Sequence, residues 1–457
     1  MNRENLLRDL NTAMEETEAL ISTGDSGLDL RTRAMYRKCF MDTAERTLLL
    51  PGMKTTDAAG IEHVVSDEIF VITGDINAMW LRDSSAQVVH YLPFAGRFES
   101  VREMIESLIK RQRICILRDP YANAFLEWKE GQSEWKNDVT AMQPGDWERK
   151  YETDSLSYHI WLVLRYIAET KDYSVLDGEQ IKAFETILEL WKNEQKHMTD
   201  SSYRFERPGK GPKNNPGNGG MGAPVAFTGM TWSGFRPSDD ACVYGYNIPG
   251  NLFAAKVLEN LCEILKSAQT GGVNQGLSAE KAHQFEKVRE SAEQLRQDIT
   301  RGIEEYGLVL HEEYGKIYAY ETDGLGNSLL MDDANVPSLL SLPWLGVCGK
   351  TDERYLNTRR FVLSSENPWY FSGRAAKGIG SPHTGERCIW PIALIMQGLT
   401  ASDRGEQLSL LRTLLDTDAG CIAMHESFDA DEPSAYSRSW FAWADSLYAL
   451  FVMNVFC

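Results

Sequence analysis

The sequence lacks the cysteine and histidine spacing that holds a metal. Its eight cysteines are scattered through 457 residues without a Cys-x-x-Cys motif, and its eight histidines form no ligand cluster. A zinc site is therefore not expected, and no metal or other cofactor is assigned. Because 43% of the residues are hydrophobic, the chain can build its own core, and free buried thiols are expected rather than disulfides.

Positive charge is also scarce. Lysine and arginine number 47 against 66 aspartate and glutamate residues, so the net charge is −19. This balance repels nucleic acid and anionic membranes, and neither is expected as a partner. A neutral or cationic small molecule fits better as the ligand, and the number of subunits is left open.

Long apolar runs are missing as well. No run reaches the roughly 18 residues that a membrane span needs. Residues 1–16 carry charges throughout instead of the apolar segment of a signal peptide. A cytoplasmic protein is therefore expected.

What the sequence does contain is helical periodicity, which predicts roughly a dozen helices. The clearest lie at residues 6–20, 31–48, 101–117, 156–168, 181–194, 252–267, 279–303, 389–398, 408–415 and 440–455. A short strand is expected at 69–72, a Gly-rich turn at Gly271–Gly272 and a hairpin at 308–320. Residues 205–222 are rich in Gly, Pro and Lys and predict a surface loop. Because the helices on both sides of this loop are alike, residues 1–457 are interpreted as one domain.

The connectors between these helices are of two kinds. About every second one is rich in Asp, Glu, Arg, His and aromatic residues, and the others are plain. This alternation predicts two concentric rings of helices, with the functional loops at one end. The predicted fold is an all-α toroid with small β-hairpin insertions in its loops. No repeat of solenoid period accompanies the pattern.

The richest connector spans residues 228–251. It combines glycines and aromatic residues such as Trp232 with Arg236 and the adjacent carboxylates Asp239 and Asp240. Flat apolar rings beside charged groups suit the binding of a sugar ring. The competing interpretation is that Ser238 or Asp239 only caps a helix beginning near Ala241.

Other connectors repeat this polar theme. Trp80 precedes Arg82 and Asp83, which could clamp sugar hydroxyls or form a structural ion pair. Further candidates for binding hydroxyls follow later in the chain, and on the alternative interpretation Asp332 and Asp333 are only caps and turns. These later candidates are Asp332, Asp333, Asn335, His383 and His425.

Two carboxylic acids are the usual apparatus for cleaving a glycosidic bond. Asp239 lies among aromatic residues that could raise its pKa by desolvation, which favours the role of the acid. Glu426, beside His425, could be the base. Two other classes stay open: a magnesium-dependent helical enzyme such as a terpene cyclase, using an Asp-Asp pair, and a non-catalytic sugar-binding protein.

Six connectors together resemble glycoside hydrolase family 125. The motifs are TGDINAMWLRDS (73–84), GMTWSGFRPSDD (229–240), YAYETDG (318–324), MDDANVPSLL (331–340), GIGSPH (378–383) and MHE (424–426). The resemblance extends from about residue 35 to 450. It implies an (α/α)6 toroid and an exo-acting α-1,6-mannosidase that inverts the anomeric configuration without a catalytic metal. Mannosides or oligosaccharides derived from N-glycans would be its substrates. The alternative is an exo-glycosidase for another α-linkage or sugar.

Matched motif by motif, the resemblance also assigns roles. It implies that Asp239 is the general acid, that Glu426 is the general base and that Arg82 and Asp83 hold the terminal mannose. The loop at 209–222 departs from the family pattern by being longer and richer in glycine, which could alter what lies beyond the cleaved bond. The candidates for substrate binding are thus Trp80, Arg82, Asp83, Trp232, Arg236, Asp240, Asp332, Asp333, Asn335, His383 and His425.

Overall fold

The computed structural model describes residues 2–56, 60–270 and 279–457. Thirteen α-helices run through these residues. In chain order they are α1 (Arg3–Glu18), α2 (Ser26–Asp42), α3 (Leu81–Ala86), α4 (Glu99–Arg118), α5 (Thr153–Thr170), α6 (Gly178–Glu194), α7 (His197–Asp200), α8 (Ile248–Thr270), α9 (Ala279–Tyr306), α10 (Glu353–Val362), α11 (Pro391–Thr400), α12 (Arg404–Asp416) and α13 (Ala442–Phe456). The predicted helices are all present, although their ends differ by up to about six residues. The predicted turn at Gly271–Gly272 lies outside the described residues.

The helices form two concentric rings. In the inner ring α13 contacts α3, α3 contacts α5, α5 contacts α8, and α11 closes back on α13. In the outer ring α1 contacts α4, α4 contacts α6, α6 contacts α9, and α12 contacts α2. The predicted (α/α)6 toroid is therefore confirmed.

The sequences of the helices explain which ring each joins. In α4 the buried residues Val101, Met104, Ile105 and Leu108 follow the spacing of a single helix face, so the helix packs with one side inward. By contrast, α5 is buried along nearly its whole length, which matches its apolar residues on all sides. A helix that is apolar all round must be covered all round, and this places α5 in the inner ring.

Short strands lie in the connectors and, within the described residues, form seven small antiparallel sheets. The predicted hairpin at 308–320 is β9 paired with β10, and the predicted strand at 69–72 is β4 paired with β1. The strands are β1 (Leu48–Leu49), β2 (Lys54–Thr56), β3 (Glu62–Val64), β4 (Phe70–Val71), β5 (Met79–Trp80), β6 (Ala124–Phe125), β7 (Asp146–Glu148), β8 (Tyr246–Asn247), β9 (Leu308–His311), β10 (Gly315–Tyr318), β11 (Glu321–Thr322), β12 (Ser328–Leu329), β13 (Tyr370–Ser372), β14 (Lys377–Ile379), β15 (Cys388–Ile389), β16 (Ser427–Asp429) and β17 (Tyr436–Ser437).

All eight cysteines are free thiols, as predicted, although only Cys39, Cys115 and Cys242 are fully buried. Among the helices of the described residues, none is both long and apolar enough to cross a membrane.

Candidate active site

A cavity of about 100 Å³ opens where the inner helices begin. Arg82 and Asp83 lie in the first turn of α3, Trp390 directly precedes α11, and Phe441 directly precedes α13. The full lining is Thr73, Ile76, Trp80, Arg82, Asp83, Pro237, Ser238, Asp239, Asn335, His383, Trp390, Glu426, Arg438, Phe441 and Trp443. Connectors from distant parts of the chain therefore meet at one end of the toroid.

This wall includes both predicted catalytic carboxylates, Asp239 and Glu426. It also includes five of the residues predicted to bind substrate: Trp80, Arg82, Asp83, Asn335 and His383. A larger cavity of about 350 Å³ lies beside His63 and Arg111, but none of the predicted site residues lines it.

Several polar atoms of the wall are suited to a hydroxyl-rich ligand. Thr73 Oγ1, Trp80 Nε1 and Ser238 Oγ are buried and have no hydrogen-bond partner among the described residues. Because buried polar groups in proteins are normally paired, these atoms are available to a ligand. Together with the rings of Trp80 and Trp390, they suit a sugar, which has an apolar face and a polar rim.

Asp239 lies in a tight turn rather than at a helix cap. Its main-chain N–H donates to Arg236 O at 2.9 Å, and its φ of +64° is in the left-handed region, which aspartate tolerates better than most residues. The next helix, α8, begins only at Ile248. The alternative that Ser238 or Asp239 caps a helix near Ala241 is therefore wrong, because the intervening residues form turns and the strand β8.

Arg82 organises the floor of the cavity by contacting four carboxylates. Its Nη1 lies 2.7 Å from Glu152 Oε2 and 3.2 Å from Asp154 Oδ2, and its Nη2 lies 3.1 Å from Asp239 Oδ1. Its Nε lies 3.3 Å from Asp83 Oδ2. Arg82 and Asp83 are thus an ion pair and also part of the cavity wall, whereas their contact with sugar hydroxyls stays a prediction.

Three of these four acids are buried, and burial and mutual repulsion both oppose ionisation of the whole cluster. Burial, opposed by the Arg82 charge, raises the pKa of Asp83 to about 6, and the same two effects raise the pKa of Asp154 to about 6. Burial also raises the pKa of Glu152 well above its ordinary value. This cluster therefore carries protons near neutral pH.

Asp239 is shifted in the opposite direction. Burial alone would raise its pKa, but the Arg82 guanidinium and a hydrogen bond with Glu152 outweigh burial, so the pKa of Asp239 is lowered. The prediction that desolvation raises the pKa of Asp239 is wrong, because the sequence did not show the cation beside it. The carboxyl group beside it whose pKa is raised by burial is Glu152.

Glu426 is held at the other side of the site by two donors. Ser437 Oγ donates to Glu426 Oε2 at 2.8 Å, and Arg438 Nη1 lies 3.4 Å from Glu426 Oε1. Ser437 is in β17 and Arg438 follows it. Strand β17 pairs with β16, which begins at the residue after Glu426. The hairpin thus fixes the orientation of this carboxylate.

Other predicted site residues lie behind the wall and support it. Asp240 Oδ1 lies 2.9 Å from His383 Nδ1. Burial opposes charge on that ring, but the hydrogen bond with Asp240 outweighs it and raises the pKa of His383. Arg236 Nε lies 2.5 Å from Glu321 Oε1, which anchors the turn that carries Asp239.

The Asp332–Asp333 pair also supports the wall instead of lining it. Asp332 accepts hydrogen bonds from the main-chain N–H groups of Leu339 and Leu340, at 2.8 and 3.0 Å. Asp333 Oδ1 accepts from Asn335 Nδ2 at 2.9 Å and so orients an amide that does line the cavity. The interpretation of this pair as solvated turn and cap residues is half right, because both accept local hydrogen bonds but both are buried.

Trp232 and His425 are likewise placed away from the cavity surface. Trp232 is 1% exposed, and its ring stacks on His197 with centroids 3.5 Å apart. His425 lies between two carbonyl oxygens, those of Arg438 and Asp418, each 3.2 Å from a ring nitrogen. Neither residue is brought to the wall, so direct contact with substrate is not supported for either one.

Sequence reasoning missed several members of the site. Glu152 and Arg438 were not singled out, and neither were Trp390, Phe441 and Trp443. One signal was present, because Glu152 comes directly before an inner helix in a polar connector, as the predicted residues do. No local signal marks Arg438, whose φ of +52° turns its side chain toward Glu426.

A double ring of helices whose loops bring two carboxylates to one cavity is the arrangement of an (α/α)6 glycoside hydrolase. Other glycosidases share this architecture at low identity. A structure named as a wild-type glycosidase matches with a TM-score of 0.54 at 12% identity, covering 94% of this chain and 98% of its own. A family 78 rhamnosidase of Bacillus sp. GL1 matches with a TM-score of 0.51 at 13% identity, over 93% of this chain and 35% of its own. These two show the fold alone.

The chain belongs to glycoside hydrolase family 125, the metal-independent α-mannosidases, whose family model matches residues 29–453. A Streptococcus pneumoniae metal-independent α-mannosidase, solved in a non-productive complex with α-1,6-mannobiose, is 40% identical. It superposes with a TM-score of 0.88 over 98% of both chains. The meiotically up-regulated gene 157 protein of Schizosaccharomyces pombe is 38% identical over 405 residues, which are 85% of this chain and 77% of the relative. The protein is thus an α-mannosidase, which sets aside the cyclase and the non-catalytic binding protein.

Proposed function

We propose that the protein is an exo-acting, inverting α-1,6-mannosidase that removes terminal mannose from N-glycan-derived oligosaccharides. Asp239 is assigned as the general acid, which protonates the departing oxygen, and Glu426 as the general base, which activates water. The observation that carries this proposal is that these two carboxylates line the same cavity. The α-1,6-mannobiose bound by the Streptococcus pneumoniae relative supports the choice of linkage.

The exo mode follows from the size and floor of the cavity. At about 100 Å³ the cavity suits a terminal sugar instead of a long chain. Arg82 and Asp83 at its floor can donate to and accept from neighbouring hydroxyls of a single terminal mannose. A cytoplasmic location and the absence of nucleic-acid and membrane partners stay predictions from the charge and composition of the sequence.

The stereochemical course tests the mechanism. Hydrolysis of methyl α-1,6-mannobioside, whose reducing end is blocked, followed by NMR from the first minute should show β-mannose first, with the α-anomer growing in only by mutarotation. Early α-mannose would require a covalent intermediate and a nucleophilic role for Glu426. A parallel screen of α-1,2-, α-1,3-, α-1,4- and α-1,6-mannobiose tests the linkage, and a preference for any linkage other than 1,6 would favour the alternative exo-glycosidase.

Two isosteric variants test the assignment of acid and base. Asp239→Asn and Glu426→Gln should each lower turnover of α-1,6-mannobiose by about 10²-fold or more, the range typical of general acid–base catalysis. A mannoside with a dinitrophenyl leaving group needs little protonation, so it should restore Asp239→Asn more than Glu426→Gln. Equal behaviour of the two variants toward both substrates would remove the assigned division of roles.

A further inference from the structure

Glu152 lies beside the proposed general acid, directly precedes α5 and has a fully covered side chain. The Arg82 guanidinium contacts the carboxyl groups of Glu152 and Asp239 together, at 2.7 and 3.1 Å. Asn123 Nδ2 also donates to both of them, at 3.3 and 3.5 Å. Because two ionised carboxylates repel and neither can donate, a pair in this arrangement holds one proton between them.

The surroundings decide which of the two carboxyl groups holds that proton. Asp239 is close to three groups that favour its ionised form, namely Arg82, Lys150 and His383. Lys150 Nζ also donates to the main-chain carbonyl of Asp239 at 2.8 Å. Glu152 is enclosed more completely, and burial favours its neutral form. The proton of the free enzyme therefore belongs to Glu152.

This location raises a chemical problem for the proposed mechanism. A general acid must carry its proton when the glycosidic bond breaks, yet Asp239 is ionised in the free enzyme. Glu152, which contacts the same guanidinium, holds a proton. The donors around Glu152 are also arranged to accept its charge, because Ser155 Oγ and Asn123 Nδ2 donate to its two oxygens at 2.9 and 3.3 Å.

We propose that Glu152 stores the catalytic proton in the free enzyme and passes it to Asp239 when the substrate is bound. This inference rests on the proposed role of Asp239 as general acid, and Glu152 acts as a positioning residue for the proton. The O–H bond of Glu152 breaks as an O–H bond forms on Asp239, and the negative charge left on Glu152 is held by Arg82 Nη1 at 2.7 Å.

The rest of the step balances without any further reactant. Asp239 gives the proton to the glycosidic oxygen, which leaves with the electron pair of the broken C–O bond. Water forms the new C–O bond and loses a proton to Glu426. After product release Glu426 returns that proton to solvent, and the acid pair takes one up. The side chain of Asp239 is 23% exposed and that of Glu152 is 0% exposed. The proton taken up from solvent therefore reaches Glu152 through Asp239.

The test compares Glu152→Gln with Asp154→Asn in the full-length enzyme. Asp154 is the matched control, because it is also buried and contacts the same Arg82 nitrogen, at 3.2 Å. Each variant is assayed on α-1,6-mannobiose, whose leaving alcohol needs a proton, and on dinitrophenyl α-mannoside, whose leaving group does not. Glu152→Gln should lower kcat on mannobiose by about 10²-fold or more and on the aryl mannoside by less than about tenfold. Asp154→Asn should lower both rates by the same factor.

A second readout is the pH profile. Without Glu152 the proton must be held by Asp239 alone. In Glu152→Gln the fall of kcat/KM on mannobiose at alkaline pH should therefore begin at a lower pH than in the wild type. In Asp154→Asn it should begin at the same pH as in the wild type. Equal losses of Glu152→Gln on both substrates, or an unmoved limb, would overturn the inference. If Glu152→Gln does not fold, Glu152→Asp serves instead. It keeps an ionisable group, so it should retain the wild-type ratio of the two rates, and a ratio like that of Asp239→Asn would count against the proposal.

The failure of this inference is distinguishable from the failure of the proposed function. If Asp239→Asn discriminates between the two leaving groups while Glu152→Gln does not, only the storage role of Glu152 is wrong. If Asp239→Asn itself loses both activities equally, the assignment of the general acid is wrong.

Discussion

Lys213, in the Gly-rich loop, donates a hydrogen bond to the main-chain carbonyl of His383 on the cavity wall. The same ammonium group donates to Pro382 O at 3.0 Å and lies 3.9 Å from Asp240 Oδ2. The main-chain carbonyl of Lys213 accepts from the N–H of Ala241 at 2.8 Å. The Gly-rich loop is therefore fastened to both segments that border the proposed acid.

Lys213→Ala removes the side-chain contacts that hold the loop to the segments at 240–241 and 382–383. It should lower activity on substrates that have a second sugar. We expect kcat/KM on α-1,6-mannobiose to fall about tenfold, because a charged hydrogen bond contributes about 1.5 to 3 kcal/mol and the rim is partly exposed. Inhibition by mannose should hardly change. Lys210→Ala, at an exposed position of the same loop, is the control. An equal loss of mannose affinity in Lys213→Ala would show that the loop borders the terminal sugar instead.

Arg438→Ala should impair turnover by releasing Glu426. Arg438 bridges this carboxylate, at 3.4 Å, to Asp75 on the opposite connector. Loss of the bridge should lower kcat by about 10- to 100-fold, since the base must be held in place during attack. Asp75→Asn removes only the outer contact and should have a smaller effect. The two variants are compared by steady-state kinetics, and a larger loss in Asp75→Asn would contradict this assignment.

Trp232→Ala should reduce stability without reducing sugar affinity. The ring is enclosed between His197 and two close glycines, Gly222 and Gly245, so its removal leaves a core cavity that costs about 3–5 kcal/mol. Chemical denaturation measures the loss of unfolding free energy, and titration with mannose at a temperature where the variant is folded measures affinity. A large loss of affinity in the folded variant would restore Trp232 as a substrate-binding residue.

Asp445 should make stability depend on pH. Burial, together with the nearby Asp42 carboxylate, raises the pKa of Asp445 to about 8, against an unfolded value of roughly 3.9. Between these values the folded state holds a proton that the unfolded state has lost, so the stability from this group is present below about pH 4 and declines as pH rises toward 8.

Asp445→Asn should remove this part of the decline. The free energy of unfolding of the variant, minus that of the wild type, should be larger at pH 8 than at pH 5 by at least about 1 kcal/mol. Urea unfolding at both pH values measures this difference. The amide oxygen can still accept the hydrogen bond that Met424 N–H donates at 2.7 Å, so the fold should be kept. A stability difference that is the same at both pH values would show that Asp445 does not titrate in this range.

The sequence was informative about helices because periodicity is a local property. The predicted helix at 181–194 differs from α6 by three residues at one end only, and its amphipathic spacing suffices to place it. The role of a side chain depends on distant neighbours. Trp232 lies within a motif that also carries the cavity residues Pro237, Ser238 and Asp239, yet its ring stacks on His197 in the core. The lowered pKa of Asp239 could not be predicted, because it arises mainly from Arg82, which is far away in sequence.

The ring closes through α13, which contacts α2, α3 and α11 and carries Trp443 into the cavity wall just after Phe441. During synthesis, a chain that has emerged only as far as Glu426 already contains both proposed catalytic carboxylates but still lacks one side of the cavity. It also lacks the helix that covers α2 and α3. Catalytic competence is therefore acquired in a single late event, when α13 docks between elements made much earlier, and shorter nascent chains should be unable to cleave a mannoside.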